Sequence, residues 1–257
     1  MCSYAGNNQD IWLYDSIRGT TTDITHDQKG YNPVWTGSNG QTLFYSTPEG
    51  LFRWDRKEQS AVRWSLVMGL SKLNDSSPDG RQLAIQMYLS EQLDIYTIAL
   101  SDQNDVKPVP FETTEHFQRK AAWSPCGKWI AYESEETGRS EIFVKPYPGP
   151  GSKAAVSSDG GREPLWSPDG SELYYRNNKK VIAAKIESKP EFKVVDTLIL
   201  FDDEYYSCAK CRTYDIGPDG RFIMLYDPRD SVRPQIHVTL NWQEELKHHL
   251  PSEFWQD

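Results

Sequence analysis

Short stretches in which apolar and polar positions alternate recur along the whole chain, each cut off by a cluster of turn-forming residues. The clearest runs Ala122-Trp123-Ser124-Pro125-Cys126-Gly127-Lys128-Trp129-Ile130-Ala131-Tyr132-Glu133-Ser134. Its flanks are aromatic and β-branched, which strands favour. Proline at the second turn position sets φ for a type I turn, and glycine at the fourth takes a left-handed conformation cheaply. The pattern predicts a β-hairpin.

The hairpin repeats. Trp166-Ser167-Pro168-Asp169-Gly170 precedes Glu172-Leu173-Tyr174-Tyr175, and Ser76-Ser77-Pro78-Asp79-Gly80 precedes Gln82-Leu83-Ala84-Ile85. Ile216-Gly217-Pro218-Asp219-Gly220 precedes Phe222-Ile223-Met224-Leu225-Tyr226. A weaker copy, Trp35-Thr36-Gly37-Ser38-Asn39-Gly40, lacks the proline and carries one extra residue. The turn glycines Gly40, Gly80, Gly127, Gly170 and Gly220 are 40, 47, 43 and 50 residues apart. A period of roughly 40–50 residues with several strands per unit marks a propeller blade.

A second motif follows each hairpin: an acidic or polar residue, then a short alternating strand. Asp94-Ile95-Tyr96-Thr97-Ile98 and Glu141-Ile142-Phe143-Val144 show it best. Asp10-Ile11-Trp12-Leu13-Tyr14 and Gln235-Ile236-His237-Val238 repeat it, and Leu51-Phe52-Arg53-Trp54 and Val181-Ile182-Ala183-Ala184 fill the same slot. Thr22-Asp23-Ile24, Pro108-Val109-Pro110-Phe111 and Lys153-Ala154-Ala155-Val156 add a fourth strand to their units. Four strands per unit is what a blade needs. The expected fold class is all-β: a β-propeller of about six four-stranded blades, the first and last incomplete, over residues 1–240. The innermost strand of the first blade has no residues in this sequence. Either the chain borrows it from its C-terminal end, or the sequence is a fragment of a longer protein. Asn241, with Glu244 three residues on, predicts a capped short helix. Trp242, Leu246 and Leu250 give it one apolar side, and residues 241–257 form a helix and tail folded onto the propeller.

Composition agrees. Hydrophobic residues make up 37% of the 257, while aromatics reach 12%, with nine Trp and fourteen Tyr. Large rings on short strands suit stacked blades better than a helical core. The net charge of −9, with no basic run, argues against nucleic acid as the main partner. No apolar run is long enough to span a membrane, so no direct membrane insertion is expected. The first residues lack the basic and apolar regions of a signal peptide.

The residues above resemble the TolB-like six-bladed β-propeller family, whose WD-like repeats carry Trp-Ser-Pro-Asp-Gly before an apolar strand. Gly-Arg-Ser-Glu-Ile-Phe-Val (138–144), Pro-Tyr-Pro-Gly (146–149), Ser-Asp-Gly-Gly (158–161) and the ending from Val238 to Lys247 are similar to one subgroup, as is Tyr214-Asp215 before the last turn. That subgroup is the propeller C-terminal to bacterial serine/threonine kinase domains, often after a membrane span. The resemblance implies a sensing or protein-binding module outside the cytoplasm. Cys126 and Gly37 depart from the repeat, and no kinase segment or membrane span is present in the sequence.

Catalytic signatures are missing. There is no G-x-S-x-G, H-E-x-x-H, phosphate-binding loop or kinase loop motif. The innermost strands Asn32-Pro33-Val34-Trp35, Ala121-Ala122-Trp123 and Pro164-Leu165-Trp166 are apolar, which argues against a channel-based hydrolase or lyase. No cofactor and no metal are expected. The five His, His26, His116, His237, His248 and His249, are scattered. Asp79, Asp169 and Asp219 invite a calcium reading, but aspartate in such turns accepts local backbone bonds. Cys208-Ala209-Lys210-Cys211 is the one constellation with possible chemistry. Three readings stay open: two thiols in an inter-blade loop, a disulfide, or half a zinc or redox site with Lys210 beside the thiols.

If the first hairpin strand of each blade lines the channel, the loops entering it gather at one mouth: His26 to Asn32, Thr113 to Arg119, Ser157 to Glu163 and Asp202 to Arg212. They carry Tyr31, His116, Phe117, Arg119, Arg162, Glu163, Tyr205, Tyr206 and Arg212, an aromatic and arginine set typical of recognition surfaces. The expected function is non-enzymatic binding of a protein or peptide, as the sensor of a bacterial signalling protein. A periplasmic scaffold of the TolB kind is the alternative.

Overall fold

The structure is a computed structural model that describes residues 2–5, 8–26, 29–37, 40–65, 70–89, 92–101, 106–189, 191–208, 211–226 and 235–237. Its described strands form six antiparallel sheets in chain order, the blades of a propeller. Blade 1 holds β1 (Cys2–Ala5), β2 (Asn8–Asp15) and β3 (Thr20–Asp23). Blade 2 holds β4 (Tyr31–Thr36), β5 (Thr42–Thr47), β6 (Gly50–Asp55) and β7 (Ser60–Ser65). Blade 3 holds β8 (Leu70–Ser76), β9 (Gln82–Leu89), β10 (Gln92–Ala99) and β11 (Val109–Glu112). Blade 4 holds β12 (Gln118–Trp123), β13 (Trp129–Ser134), β14 (Glu141–Pro146) and β15 (Ala154–Ala155). Blade 5 holds β16 (Arg162–Trp166), β17 (Glu172–Asn177), β18 (Lys180–Glu187) and β19 (Lys193–Asp202). Blade 6 holds β20 (Tyr214–Ile216), β21 (Phe222–Tyr226) and β22 (Gln235–His237). Among the described residues, blade 1 lacks the innermost strand and blade 6 the outermost. The expected helix at 241–250 lies outside the described residues. Two outer strands escaped the sequence reading, β7 and β19.

The repeated turns form as expected. The N–H of Gly80, Gly127, Gly170 and Gly220 donates to the carbonyl three residues back at 2.8–2.9 Å. Asp79 Oδ1 accepts from the Ser77 hydroxyl at 2.6 Å and Arg81 N at 3.1 Å, and Asp169 Oδ1 from Ser167 at 2.7 Å and Ser171 N at 3.0 Å. These bonds hold both carboxyls below the usual range. Cys126 takes the same place, its sulfur 3.3 Å from the Ser124 hydroxyl. The acids at the third strands of blades 1, 3 and 4 also have structural partners. Asp10 accepts from the Thr25 hydroxyl at 3.0 Å, Asp94 from Thr114 N at 3.2 Å and Glu141 from Gly160 N at 2.9 Å. Each ties its strand to the loop leaving the blade.

The core is divided. Five apolar clusters occupy the five interfaces between successive blades. Strand alternation sends neighbouring side chains to opposite blades. In β13, Ile130 and Tyr132 face blade 3 and Ala131 faces blade 5. The sizes are reciprocal. Ala84 shares a cluster with Trp123, and Ala131 with Trp166. Where the tryptophan gives way to Ile216, the preceding blade presents Tyr174 instead. Where it gives way to Ser76, the preceding blade presents Phe44. Each pair therefore fills one inter-blade space, as close packing requires.

This reciprocity is testable by urea unfolding. Trp166→Ala should cost about 3–5 kcal/mol, and Ala131→Phe about 1–3 kcal/mol. Together they should cost less than the sum by about 1 kcal/mol or more, because the phenyl ring occupies the vacated space. Simple additivity would show that the two side chains do not share it.

Candidate functional site

The innermost strands are not regular. Register shifts fall between Tyr31 and Val34, Arg119 and Ala122, and Arg162 and Leu165. At each, the residue that begins the shift is left-handed: Asn32 at φ 51°, Lys120 at φ 52° and Glu163 at φ 56°. Asparagine visits this region readily, but for lysine and glutamate it costs about 1–2 kcal/mol. Hydrogen bonds from the preceding blade offset that cost. Glu163 N donates to Glu133 Oε1 at 2.6 Å and Lys120 N to Gln86 Oε1 at 3.4 Å. At the matching place in blade 3, Leu73 N donates to Ser46 Oγ at 3.4 Å. Ser46, Gln86 and Glu133 occupy equivalent positions in the second strands of their blades.

Blade 5 has Arg176 at this position, and arginine has no acceptor to offer. Glu163 supplies it instead. Its Oε2 accepts from Thr213 N at 2.7 Å and the Thr213 hydroxyl at 2.8 Å. Its backbone carbonyl accepts from the Tyr214 hydroxyl at 2.7 Å. Lys120 Nζ lies 3.6 Å and Arg176 Nη1 3.8 Å from Glu163 Oε1. Lys120 Nζ also reaches Glu133 Oε1 at 3.3 Å and donates to the Cys208 carbonyl at 3.0 Å. Arg176 uses all five donors. Its Nε and Nη2 grip Asp203 at 2.5 and 2.7 Å, and Nη1 and Nη2 donate to the carbonyls of Tyr206 and Tyr205, both at 2.9 Å. The last donor goes to the Thr213 hydroxyl. The network thus holds Asp203, Tyr205, Tyr206, Cys208 and Thr213 in place.

Above it lies a cavity of about 350 Å³ lined by Tyr31, Gln86, Lys120, Tyr206, Cys211 and Arg212, with Asn74 and Asp215. Arg212 Nη2 donates to the Ala121 carbonyl at 3.0 Å, while its buried Nε has no partner among the described residues. Asp75 accepts from Trp123 N at 2.7 Å and Ser76 N at 2.8 Å. Burial pushes its carboxyl up, Arg212 opposes the shift, and Asp215 adds to it. The expectation of apolar innermost strands is therefore corrected: β8 carries Asp75 and β20 carries Asp215. The visible signals were Asn74-Asp75 and Tyr214-Asp215 at the positions of Ala121-Ala122, in copies of the repeat that lack the tryptophan.

The candidate residues separate into groups. Tyr31, Tyr206 and Arg212 meet at the channel cavity. Arg162 and Tyr205 line a neighbouring groove with Asn178, Lys179 and Lys180. His116 is exposed between blades 3 and 4 beside half-buried Phe117. Arg119 lies with its guanidinium 5.9 Å from the Phe117 ring and pairs with Glu135 and, at 3.8 Å, with Glu133. Glu163 is a correction. It is fully buried in β16, not displayed on a loop, because its carboxylate replaces the acceptor that Arg176 cannot supply. Cys208 and Cys211 carry free thiols in mutual hydrogen-bonding contact. Lys210 lies outside the described residues. Among the described residues no three His, Cys, Asp or Glu side chains converge as a metal site.

Solved structures share the fold. The TolB of Acinetobacter baumannii superposes with a TM-score of 0.69 at 17% identity, over 89% of this chain and 56% of that one. This chain thus spans little more than half the length of that TolB. The Cps50 (Swd1) β-propeller domain of Myceliophteria thermophila gives 0.61 at 10% identity, covering 91% and 92% of the two chains. An oligogalacturonate lyase in complex with manganese gives 0.58 at 12%, covering 94% and 75%. No protein-family model matches the chain, and no curated protein matches its sequence.

Two measurements test the site. Arg176→Met strands Asp203 inside the protein, removes one of the two cations beside Glu163, and should cost about 3–5 kcal/mol in urea unfolding. Arg221→Met, which opens an exposed pair with Asp219, should leave stability unchanged. Carbon-detected NMR should find the Asp75 carboxyl titrating above the ordinary carboxylate range. Asp215→Asn should lower that midpoint and Arg212→Leu should raise it. Because the folded-state value exceeds the unfolded one, Asp75 favours folding at acid pH, and that contribution fades as pH rises through the raised value. Insensitivity of Asp75 to both substitutions would separate it from the channel charges.

Proposed function

We propose that this propeller is a non-enzymatic binding module that takes a protein or peptide at the channel mouth, as the sensing part of a bacterial signalling protein. The observation that carries this reading is the division of labour at the rim. Glu163, Arg176 and Lys120 are buried and spent on holding the loops. Arg162, at the start of β16, and Tyr206, on the held loop, stand exposed, the latter at 42%. Rigidly held aromatic and arginine side chains lose little freedom on binding and suit a hot spot. The signalling role rests on the sequence resemblance to propellers that follow kinase domains.

One observation favours a second reading, a channel-based enzyme. Asp75, Asp215 and Arg212 are electrostatically coupled beside the cavity, and perturbed carboxyls in clefts mark candidate sites. The lyase among the structural neighbours makes an acidic oligosaccharide the first substrate to offer, with and without manganese. Turnover that disappears in Asp75→Asn and Asp215→Asn would select this reading.

For binding, a random peptide library displayed on phage is panned against the full chain. Enriched peptides should lose about tenfold or more in affinity, roughly 1.4 kcal/mol, to Arg162→Glu and to Tyr206→Ala. The melting temperature of both variants should be unchanged. Equal affinity for both variants, or no enrichment at all, defeats the proposal.

A further inference from the structure

The Cys208–Cys211 pair takes no part in the binding scheme, yet its placement is specific. Four anchors hold the surrounding loop. Arg176 holds Asp203 and the carbonyls of Tyr205 and Tyr206, and the Ser207 hydroxyl lies 3.4 Å from Glu163 Oε1. Lys120 holds the Cys208 carbonyl, and Glu163 holds Thr213. Cys211 lies between the last two anchors. Its thiol is in hydrogen-bonding contact with Cys208, and its side chain lines the channel cavity beside Tyr206 and Arg212. Both cysteines are half-buried, so a small disulfide can reach Cys208 from the rim.

We infer that Cys208 and Cys211 are a reversible dithiol–disulfide pair, and that the ring they close stiffens the channel rim between Lys120 and Thr213. The exchange is balanced with a glutathione-type disulfide as oxidant. The Cys208 thiol loses its proton to solvent and attacks one sulfur, releasing a glutathione thiolate. Cys211 sulfur then attacks Cys208 sulfur and expels the second glutathione, which takes up the Cys211 proton. Two protein thiols are oxidised, and one glutathione disulfide is reduced to two thiols.

The surroundings do not stabilise the reduced form as a thiolate. Burial, the Cys208 side chain and the Glu163 carboxylate push the Cys211 thiol up to about 12, with Lys120 only partly opposing them. Strongly oxidising pairs owe their potential to a stabilised thiolate in the reduced state. Here the thiolate is disfavoured, so the reduced state gains nothing of that kind. The contact with Cys208 already supplies the proximity that the second displacement needs. Cys126 lacks these features, being exposed and bonded within its turn.

The bond itself does not depend on the binding role proposed above; only its effect on a partner does. The test uses the full chain as Cys126→Ser, so that the exposed thiol cannot cross-link two molecules. The protein is equilibrated across a series of reduced-to-oxidised glutathione ratios, alkylated, digested and weighed. Cys208 and Cys211 should lose alkylation together, in a species lighter by two hydrogens, and recover it with dithiothreitol. Amide exchange across residues 203–213 should slow in the oxidised form. Neither Cys208→Ser nor Cys211→Ser should give this species. Stable glutathione adducts, or thiols that alkylate independently at every ratio, would overturn the inference. So would a ring that leaves amide exchange across 203–213 unchanged. Absence of peptide enrichment together with a normal disulfide would fault the binding proposal alone.

Discussion

A ring of separate sheets holds together only if each innermost strand is tied to the blade before it. In this propeller one recurring tie is a backbone N–H of that strand. The bulge that starts the innermost strand turns that group out of its own sheet, where it needs an acceptor. Ser46, Gln86 and Glu133 each provide one from the second strand of the preceding blade. Apolar packing between blades adds most of the adhesion, but packing alone tolerates sliding. The hydrogen bond sets where along the channel each blade must sit. Its left-handed residues persist because this partner over-determines them.

The chemistry of the rim follows from one break in that series. Arg176 can only donate, so blade 5 offers blade 6 no acceptor of the usual kind. Glu163 fills the role, and its burial draws in Lys120 and Arg176 to balance its charge. Arg176 then has donors left over, which it spends on Asp203 and two carbonyls of the loop above. A substitution at an inter-blade tie has thus become a clamp on the channel mouth. The charges that look most like a binding site are consumed in the clamp. The side chains exposed beside it are those the clamp positions.

The sequence displayed the blades but not the ties. The hairpins were legible because proline, aspartate and glycine act within a few residues of one another. The same holds for the acids Asp10, Asp94 and Glu141, which recur in phase. The outer strands β7 and β19 were missed because neither sits beside a repeated turn, and the exposed Val195, Leu198 and Ile199 of β19 break the alternation. Glu163 was misread because a polar residue before Pro164-Leu165-Trp166 looks like loop. Only the pairing register shows that it belongs to the strand. Nothing local in Arg176 reveals that it forgoes an acceptor; the effect spans two blades. Asp75 and Asp215 were hidden by their position in the least regular copies of the repeat.

Those irregular copies also decide where function is possible. A propeller repeat that keeps its tryptophan, its small facing residue and its apolar innermost strand is fully engaged in packing. Blades 4 and 5 are of this kind, and their innermost strands bring little polar chemistry to the channel beyond the tie itself. Blades 3 and 6 lack the tryptophan, and their neighbours compensate with Phe44 and Tyr174. Once packing is supplied from the other side, the innermost strands of blades 3 and 6 can carry carboxylates. Asp75 and Asp215 are found there, with Arg212 between them in electrostatic terms. The carboxylates of these innermost strands are therefore a consequence of how volume is shared between blades. Exchange of a large side chain from one face of an interface to the other is what frees an inner strand for chemistry.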